Sequence, residues 1–349
     1  MQTSSSSTRR GAVAVILALA CLALPFFSLT ACSKPGESGA AKRPRFAFVT
    51  NCVVPFWTIA KVGAQKAGAE LGVDVLVEMP TSGIANQKQI LEDLITRGVD
   101  GIAVSPIDHV NQTSLLDELA SKTHLITHDS DAPKSKRVAF VGMDNYDAGR
   151  MAGKLIKEAL PQGGKIMLFV GRLEQDNGRL RRQGILDEVL GRSHDPSRFD
   201  APEAAPEQGN YKILGTSLDQ SDMATAKANA ADALTADPDI HAMVGLFAHN
   251  TPAIVEALRQ AGKLGAVKVV GFDEEDATLQ GIVDGHVFGT VVQDPYNYGY
   301  RSMQVLMALH KGDKSVVPAN QRVEVSARVI RRGEVEAFWS DLKQKTGKK

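Results

Sequence analysis

Asp129 stands in the run "HDSD", His128 to Asp131, directly after the apolar segment "THLIT". A carboxylate placed there can accept hydrogen bonds from two hydroxyls at once, or it can join His128 and Asp131 as a metal ligand, since all three are ligand types. On an extended segment Asp129 and Asp131 would face one side and His128 the other. Within the α/β fold read below, hydroxyl acceptance is the better reading for Asp129, and neither a metal nor a cofactor is expected. Similar polar residues recur along the chain. Asn51 follows "RFAFVT", Ser105 and Asp108 follow "GIAV", Ser130 and Asp131 follow Asp129, and Asp144 and Asn145 follow "VAFVG". Asn250 follows "VGLFAH", Asp273 ends "VVGFD" and Gln293 ends "GTVVQ". Asp, Asn and Ser also open helices for their own reasons, so any one of them is ambiguous. Their recurrence after apolar runs in both halves of the chain points to side chains converging on one cleft. The remaining acids of "DEED", Glu274 to Asp276, are those expected at a helix start. Near Asn51, Phe56 and Trp57 sit side by side in a chain that is only 5% aromatic. They either staple the first helix to its sheet or offer flat faces to a ligand. Cys52, between them and Asn51, has no motif of catalytic histidines around it.

The elements that must position these groups repeat one phrase, a short β-branched run, a polar loop and a helical stretch. "RFAFVT" leads into "FWTIAKVGAQKAGAELG", where Ile59, Val62, Ala67 and Leu71 return at helical spacing and Gly72 closes the helix. "VDVLVE" with "NQKQILEDLITRG", and "GIAVS" with "NQTSLLDELASK", continue the phrase, and "THLITH", "RVAFVG", "KIMLFV", "YKILG", "HAMVGLF", "VKVVGF" and "VFGTVV" extend it. Apolar strands alternating with amphipathic helices specify parallel sheets covered on both faces. A body of roughly 300 residues divides into two cores. The expected fold is α/β, two doubly wound lobes. In such sheets the ligand crevice lies outside the carboxyl ends of the strands, where the polar residues above fall.

The chain begins with "MQTSSSSTRRG" and an apolar run from Ala12 to Leu29, an export signal in shape. It ends in "LTAC", which resembles the lipobox of bacterial lipoproteins and implies cleavage before Cys32 and acylation of that thiol. A transmembrane anchor is the alternative, against which Pro25 and the place of Cys32 count. "SKPGESGAAKRP" then reads as a tether. After residue 31, 38 basic and 40 acidic residues remain, a net charge of −2 that offers no footprint for nucleic acid. Cys52 is the one cysteine beyond Cys32, so no internal disulfide forms in the folded body.

The segments "PFWTIAKVGAQKAGAELG", "QILEDLITRGVDGIAVSP", "LITHDSDAP", "VGMDNYDAGRMAGKLI", "LFAHNTPAIVEALRQAG", "VVGFDEEDATLQGI" and "GTVVQDPYNYGY" resemble the ribose-type periplasmic sugar-binding proteins of ATP-binding cassette importers, in order and spacing, from Pro44 to about Val329. The resemblance implies two Rossmann-like lobes joined by three hinge segments, near Gly142 to Asn145, Gln293 to Pro295, and Val323 to Arg328. It divides the chain into a leader at 1–31, a lipidated tether at 32–43, an N-terminal lobe at 44–143 with 295–325, and a C-terminal lobe at 144–294 with 326–349. It implies that Phe56 and Trp57 pack against a sugar ring. The C–H face of a sugar suits an aromatic plane, and its hydroxyl edge suits fixed polar groups. Asp129 matches the carboxylate that accepts from two hydroxyls, and Arg181 the arginine that donates, flanked by Asn177 and Gly184. Asn250, Asp273 and Gln293 match further contacts, and Asn51, Ser105, Ser130, Asp131 and Asn145 are secondary candidates. Ser130 stands where ribose binders carry an arginine, Ser221 where a second-lobe aromatic covers the ring, and Thr251 where an acid follows Asn250. These departures argue against ribose itself and against an anionic ligand.

An enzymatic reading lacks its motifs. The first strand is not followed by Gly-x-Gly-x-x-Gly, and Gly-x-Ser-x-Gly is absent. Asp129 and Asp273 could imitate a glycosidase pair across a cleft. The expectation is therefore a non-enzymatic, exported, monomeric protein. It would be lipid-anchored in the periplasm or cell envelope and would pass a sugar to permease subunits or present it to a membrane sensor.

Overall fold

A computed structural model describes residues 42–347. The leader, Cys32 and most of the tether lie outside the described residues. From Arg45 onward the chain builds two sheets. The first contains β1 (Arg45–Val49), β2 (Asp74–Glu78), β3 (Gly101–Val104), β4 (His124–His128), β5 (Ala139–Gly142) and, much later in the chain, β12 (Arg322–Glu324). Their order is β2-β1-β3-β4-β5-β12, with every neighbour parallel. The second contains β6 (Gly164–Val170), β7 (Glu207–Gln208), β8 (Tyr211–Leu218), β9 (Ala242–Gly245), β10 (Lys268–Phe272), β11 (Gly289–Val292) and β13 (Arg328–Arg331), in the order β7-β8-β6-β9-β10-β11-β13.

The alternation of side chains along β1 shows why both faces must be covered. Phe46 and Phe48 point to the face carrying α1 (Pro55–Leu71) and α9 (Pro295–His310), where they meet Ala60, Ala64, Tyr298 and Leu306. Ala47 and Val49 point the other way, to Leu91 and Leu94 of α2 (Gly83–Thr96) and Leu116 and Leu119 of α3 (Thr113–Ala120). The second sheet repeats the arrangement. Ile166, Leu168 and Val170 pack with α4 (Asn145–Ala159) and α5 (Asp176–Val189). Phe169 and Met243 pack with α6 (Met223–Ala236), α7 (Asn250–Gln260), α8 (Asp276–Val283) and, along that face, α10 (Val335–Thr346).

The chain passes between the lobes at Met143–Asp144, at Gln293–Asp294 and at Val325–Ala327. The last passage explains an exception to the parallel rule. A parallel return needs a crossover of a dozen or more residues, whereas β12 and β13 are separated by three. The chain leaves the first sheet at its carboxyl end, enters the second from the cleft side, and so β13 runs antiparallel to β11. The two-residue β7 is likewise antiparallel to β8. Among the described residues no helix is long and apolar enough to cross a membrane.

Candidate functional site

Both sheets reverse their strand order beside their first strand, at β1/β3 and at β6/β9. Such switch points open a crevice at the carboxyl ends of the strands. Loops and helix starts at the carboxyl ends of the two sheets face each other and line one cleft with Asn51, Phe56, Trp57, Asp129, Asn177, Arg181, Phe247, His249, Asp273 and Gln293.

Asp129 is at its centre, 3% exposed. Its Oδ2 accepts from Ser105 Oγ at 2.9 Å, Asn177 Nδ2 at 3.0 Å and Asn51 Nδ2 at 3.4 Å. Arg181, reaching in from the opposite lobe, places Nη2 at 3.5 Å from Oδ1. Burial raises the Asp129 carboxyl above the ordinary carboxylate range, and Arg181 opposes the shift. Arg181 itself is 1% exposed, and each of its three nitrogens donates. Its Nε donates to Asn145 Oδ1 at 2.9 Å, Nη1 to the Leu246 carbonyl at 3.0 Å and Nη2 to Gln293 Oε1 at 2.7 Å. Its guanidinium lies over the rings of Phe272 and Phe247, 5.0 and 5.6 Å from their centroids. Gln293 Nε2 donates to Asp273, whose carboxyl is pushed up to about 6 by burial against the lowering pull of Arg181.

The helix that carries Arg181 is held close by two glycines. A Cβ on Gly149 of α4 would stand 2.2 Å from the Arg181 carbonyl, and one on Gly184 of α5 would stand 2.1 Å from the Tyr146 carbonyl. Any side chain at either place pushes α5, and Arg181 with it, away from α4. Of the neighbouring arginines, Arg179 pairs with Asp176, and Arg182 bonds Thr216 and the carbonyls of Asp200 and Ala201.

Asp129 and Asp273 hold equivalent places, each directly after the fourth strand of its doubly wound core, and both have left-handed backbones, with φ of 58° and 73°. A non-glycine residue there costs on the order of 1 kcal/mol. The turn at Asp129 breaks the strand alternation, so Asp129 and Asp131 do not converge. Asp131 turns to Arg137, which donates through Nε at 2.5 Å and Nη2 at 2.6 Å, and it lies outside the cleft lining. Ser130 Oγ is buried without a hydrogen-bond partner among the described residues and also does not line the cleft. His128 goes into the core, stacked on Phe48 at 4.0 Å, and burial lowers its pKa to about 3. Ser105 and Asn145 stand one layer back. Ser105 holds Asp129, and Asn145 joins the Asp129 carbonyl to Arg181.

Asn250 is also placed behind the cleft. It opens α7, accepts from the Phe247 amide at 3.0 Å and donates to Asp219 at 2.6 Å. The loop before it, Leu246 to His249, supplies Phe247 and His249 to the cleft instead. His249 Nε2 is 2.8 Å from Asp219 Oδ1. Sequence reasoning passed over both residues; their position at the β9 exit, one side of the second switch point, was the available signal. Glu274 is not a helix-start acid. It is 2% exposed and accepts from the backbone amides of Gln293 at 3.3 Å and Asp294 at 3.0 Å, clamping the second passage between the lobes. Burial, with Asp273 beside it, pushes its carboxyl up to about 8.

Phe56 and Trp57 serve two surfaces. Both belong to the first-lobe core, with ring centroids 4.8 Å apart edge to face, and both line the cleft. Trp57 Nε1 donates to Asn51 Oδ1 at 3.1 Å, which orients the amide that supports Asp129. The cavity between these walls measures about 30 Å³, room for on the order of one water molecule. A ligand of several carbons therefore enters only as the lobes part, and its polar groups replace the hydrogen bonds that now cross the cleft. Among the described residues no group of three or more His, Cys, Asp or Glu side chains could hold a metal.

A cleft of mixed donors and acceptors between two doubly wound lobes with three crossings defines a two-lobed α/β solute-binding protein. The chain belongs to the periplasmic binding protein domain family, whose profile matches residues 47–314. Over 315 residues it is 27% identical to the D-allose-binding periplasmic protein of Escherichia coli, covering 86% of this chain and 95% of that one. It is 29% identical over 297 residues to the ribose import binding protein of Bacillus subtilis, covering 81% and 88%. A solved ABC transporter solute-binding protein from Burkholderia graminis, in complex with D-arabinose, superposes with a TM-score of 0.75 at 26% identity, covering 84% of this chain and 97% of that one.

Proposed function

We propose that this protein is the extracytoplasmic solute-binding component of an ATP-binding cassette importer, and that it captures a neutral monosaccharide or similar polyol between its lobes. One observation carries the reading: Asp129 and Arg181, buried and from opposite lobes, meet beside the rings of Trp57, Phe56 and Phe247. Buried hydroxyls need partners that accept and donate, and this cluster supplies both. Asp129, Arg181, Asn51, Asn177, Asp273 and Gln293 take the hydroxyl edge, and the aromatic rings take the C–H face. Closure about the three passages then shields the ligand from water. The relatives named above are binding proteins rather than enzymes, which supports capture without chemical change. Cys32 is the acylated residue that anchors the body to a membrane through residues 33–43; Cys32→Ala protein is expected to lose lipid and membrane partition.

Titration calorimetry of the full chain against D-ribose, D-allose, D-arabinose, other pentoses and hexoses, amino sugars and polyols tests the reading. The expected result is saturable binding of one of them, recovered chemically unchanged. Absence of binding across the panel, or conversion of the bound sugar, overturns it.

A further inference from the structure

The cleft does not end at His249. Beyond it lies a second cavity of about 290 Å³, and the two share Val54, Ser221, Ala248 and His249 in their walls. Their linings differ in kind. The inner cavity sets the charged and amide groups of Asp129, Arg181, Asp273 and Gln293 beside the rings of Phe56, Trp57 and Phe247. The outer one is walled by Val53, Val54 and Pro55 from the first lobe and by Met223 and Ala248 from the second, with Glu275 at its border. Val53 and Met223 are 57% and 51% exposed, one on each lobe. Neither belongs to a core cluster, so their apolar surface faces water across the cavity mouth without a packing reason. Ser221, in a left-handed turn with φ of 64°, contributes only a hydroxymethyl group to the wall that the chambers share. His249 borders both, and its Nε2 contact with Asp219 fixes the imidazole as a rigid part of the shared wall.

A mainly apolar chamber adjoining one of mixed charged and aromatic lining suits a molecule with the same division. We propose that the outer cavity is a second subsite of the same binding site. It receives an apolar substituent carried on the sugar ring, so that the preferred ligand is an alkyl or aryl glycoside, or an O-alkylated polyol, rather than the free monosaccharide. This rests on the reading of the inner cleft as a sugar site. The volume lies near the lower bound of about 300 Å³ for small-molecule pockets, which fits one ring or a short chain and not a large aglycone. Seating an apolar group there would remove the facing surfaces of Val53 and Met223 from water, a driving force absent for a free sugar.

The test compares free D-ribose, D-allose and D-arabinose with their methyl and phenyl glycosides, both anomers of each, by calorimetry on the full chain. For the sugar that binds, one anomeric glycoside is expected to bind at least tenfold tighter than the free sugar, about 1.4 kcal/mol. Val53→Asp and Met223→Asp change exposed residues outside the inner cleft. Each is expected to abolish that gain while leaving the affinity for the free sugar unchanged, which also shows that the variant is folded. If the free sugar binds and no glycoside of either anomer binds tighter, the subsite falls and the sugar reading stands. A gain that survives both variants, or an equal gain from a second sugar unit in a disaccharide, also overturns the apolar assignment. If no free sugar binds the wild type, the sugar reading falls and takes the subsite with it.

Discussion

Replacing Asp129 by Asn keeps the shape of the side chain and removes its charge, which isolates what the carboxylate does. In the structure Oδ2 accepts from Ser105, Asn177 and Asn51, and Oδ1 faces Arg181 at 3.5 Å. A bound sugar would take the place of the cross-cleft partners, with two hydroxyls donating to the carboxylate. Charge-assisted bonds contribute about 1.5–3 kcal/mol each. An amide oxygen still accepts one of them, while its NH2 cannot accept from the second hydroxyl and meets the Asn51 amide and the Ser105 hydroxyl, which now donate to the carboxylate. The expected loss is roughly 2–4 kcal/mol, about 30- to 1,000-fold in affinity. Stability should respond differently. Burial already disfavours the ionised Asp129, so removing the charge relieves a desolvation cost while forfeiting an acceptor. The two effects offset, and the melting temperature should shift by no more than the ~2–4 °C that corresponds to 1 kcal/mol in a chain near this size. Calorimetry with the wild-type ligand and a thermal melt of the same preparation give both numbers. A folded Asp129→Asn protein that binds within threefold of wild type refutes the placement of Asp129 against the ligand; a variant that fails to fold refutes the offset.

Other outcomes follow from the same geometry. Trp57 lines the cleft, while Trp339 on α10 donates from Nε1 to Asp276 and carries Lys343 over its ring; the ligand-induced change in intrinsic fluorescence should therefore persist in Trp339→Phe and vanish in Trp57→Phe, and a response that follows Trp339 would put the site elsewhere. Glu274, raised to about 8 by burial and Asp273, keeps in the folded state a proton that the unfolded chain releases near its ordinary value of 4.5. Its contribution to stability thus declines as pH rises from 4.5 through about 8. Glu274→Gln should flatten the loss of stability across that window, read from urea midpoints; parallel wild-type and variant curves would contradict the assigned shift. Gly184→Ala puts a methyl 2.1 Å from the Tyr146 carbonyl, so α5 must move and Arg181 with it. Overpacking of this kind costs about 1–3 kcal/mol, and both denaturant midpoint and ligand affinity should fall. Unchanged affinity would show that the α4–α5 contact does not position Arg181.

By itself the sequence determined the order of the strands from β1 to β11 other than the two-residue β7, because apolar runs and helical spacing are local patterns, whereas the short β7, β12 and β13 carry no such run. It also determined that polar residues gather at strand ends and that Phe56 and Trp57 open the first helix, since these too are readable along the chain. The three passages between lobes were legible through the family resemblance. What only the tertiary structure decided is which neighbour on each loop faces the cleft. Asp129 and Asp131 are two residues apart and of one type; a left-handed turn at Asp129, which a sequence does not announce for a non-glycine residue, sends one to Arg181 and the other to Arg137. Asn250 and His249 are adjacent; Asp219, distant in sequence on the β8 exit, draws the Asn250 amide into the scaffold, and His249 and Phe247 remain at the cleft. Glu274 reads as a helix-start acid until the Gln293 and Asp294 amides, from a strand exit some twenty residues on, are seen to bond it. In each case the direction of a side chain is set by a partner brought close only by strand order and lobe packing, and such non-local contacts leave no mark in a local pattern of residue types.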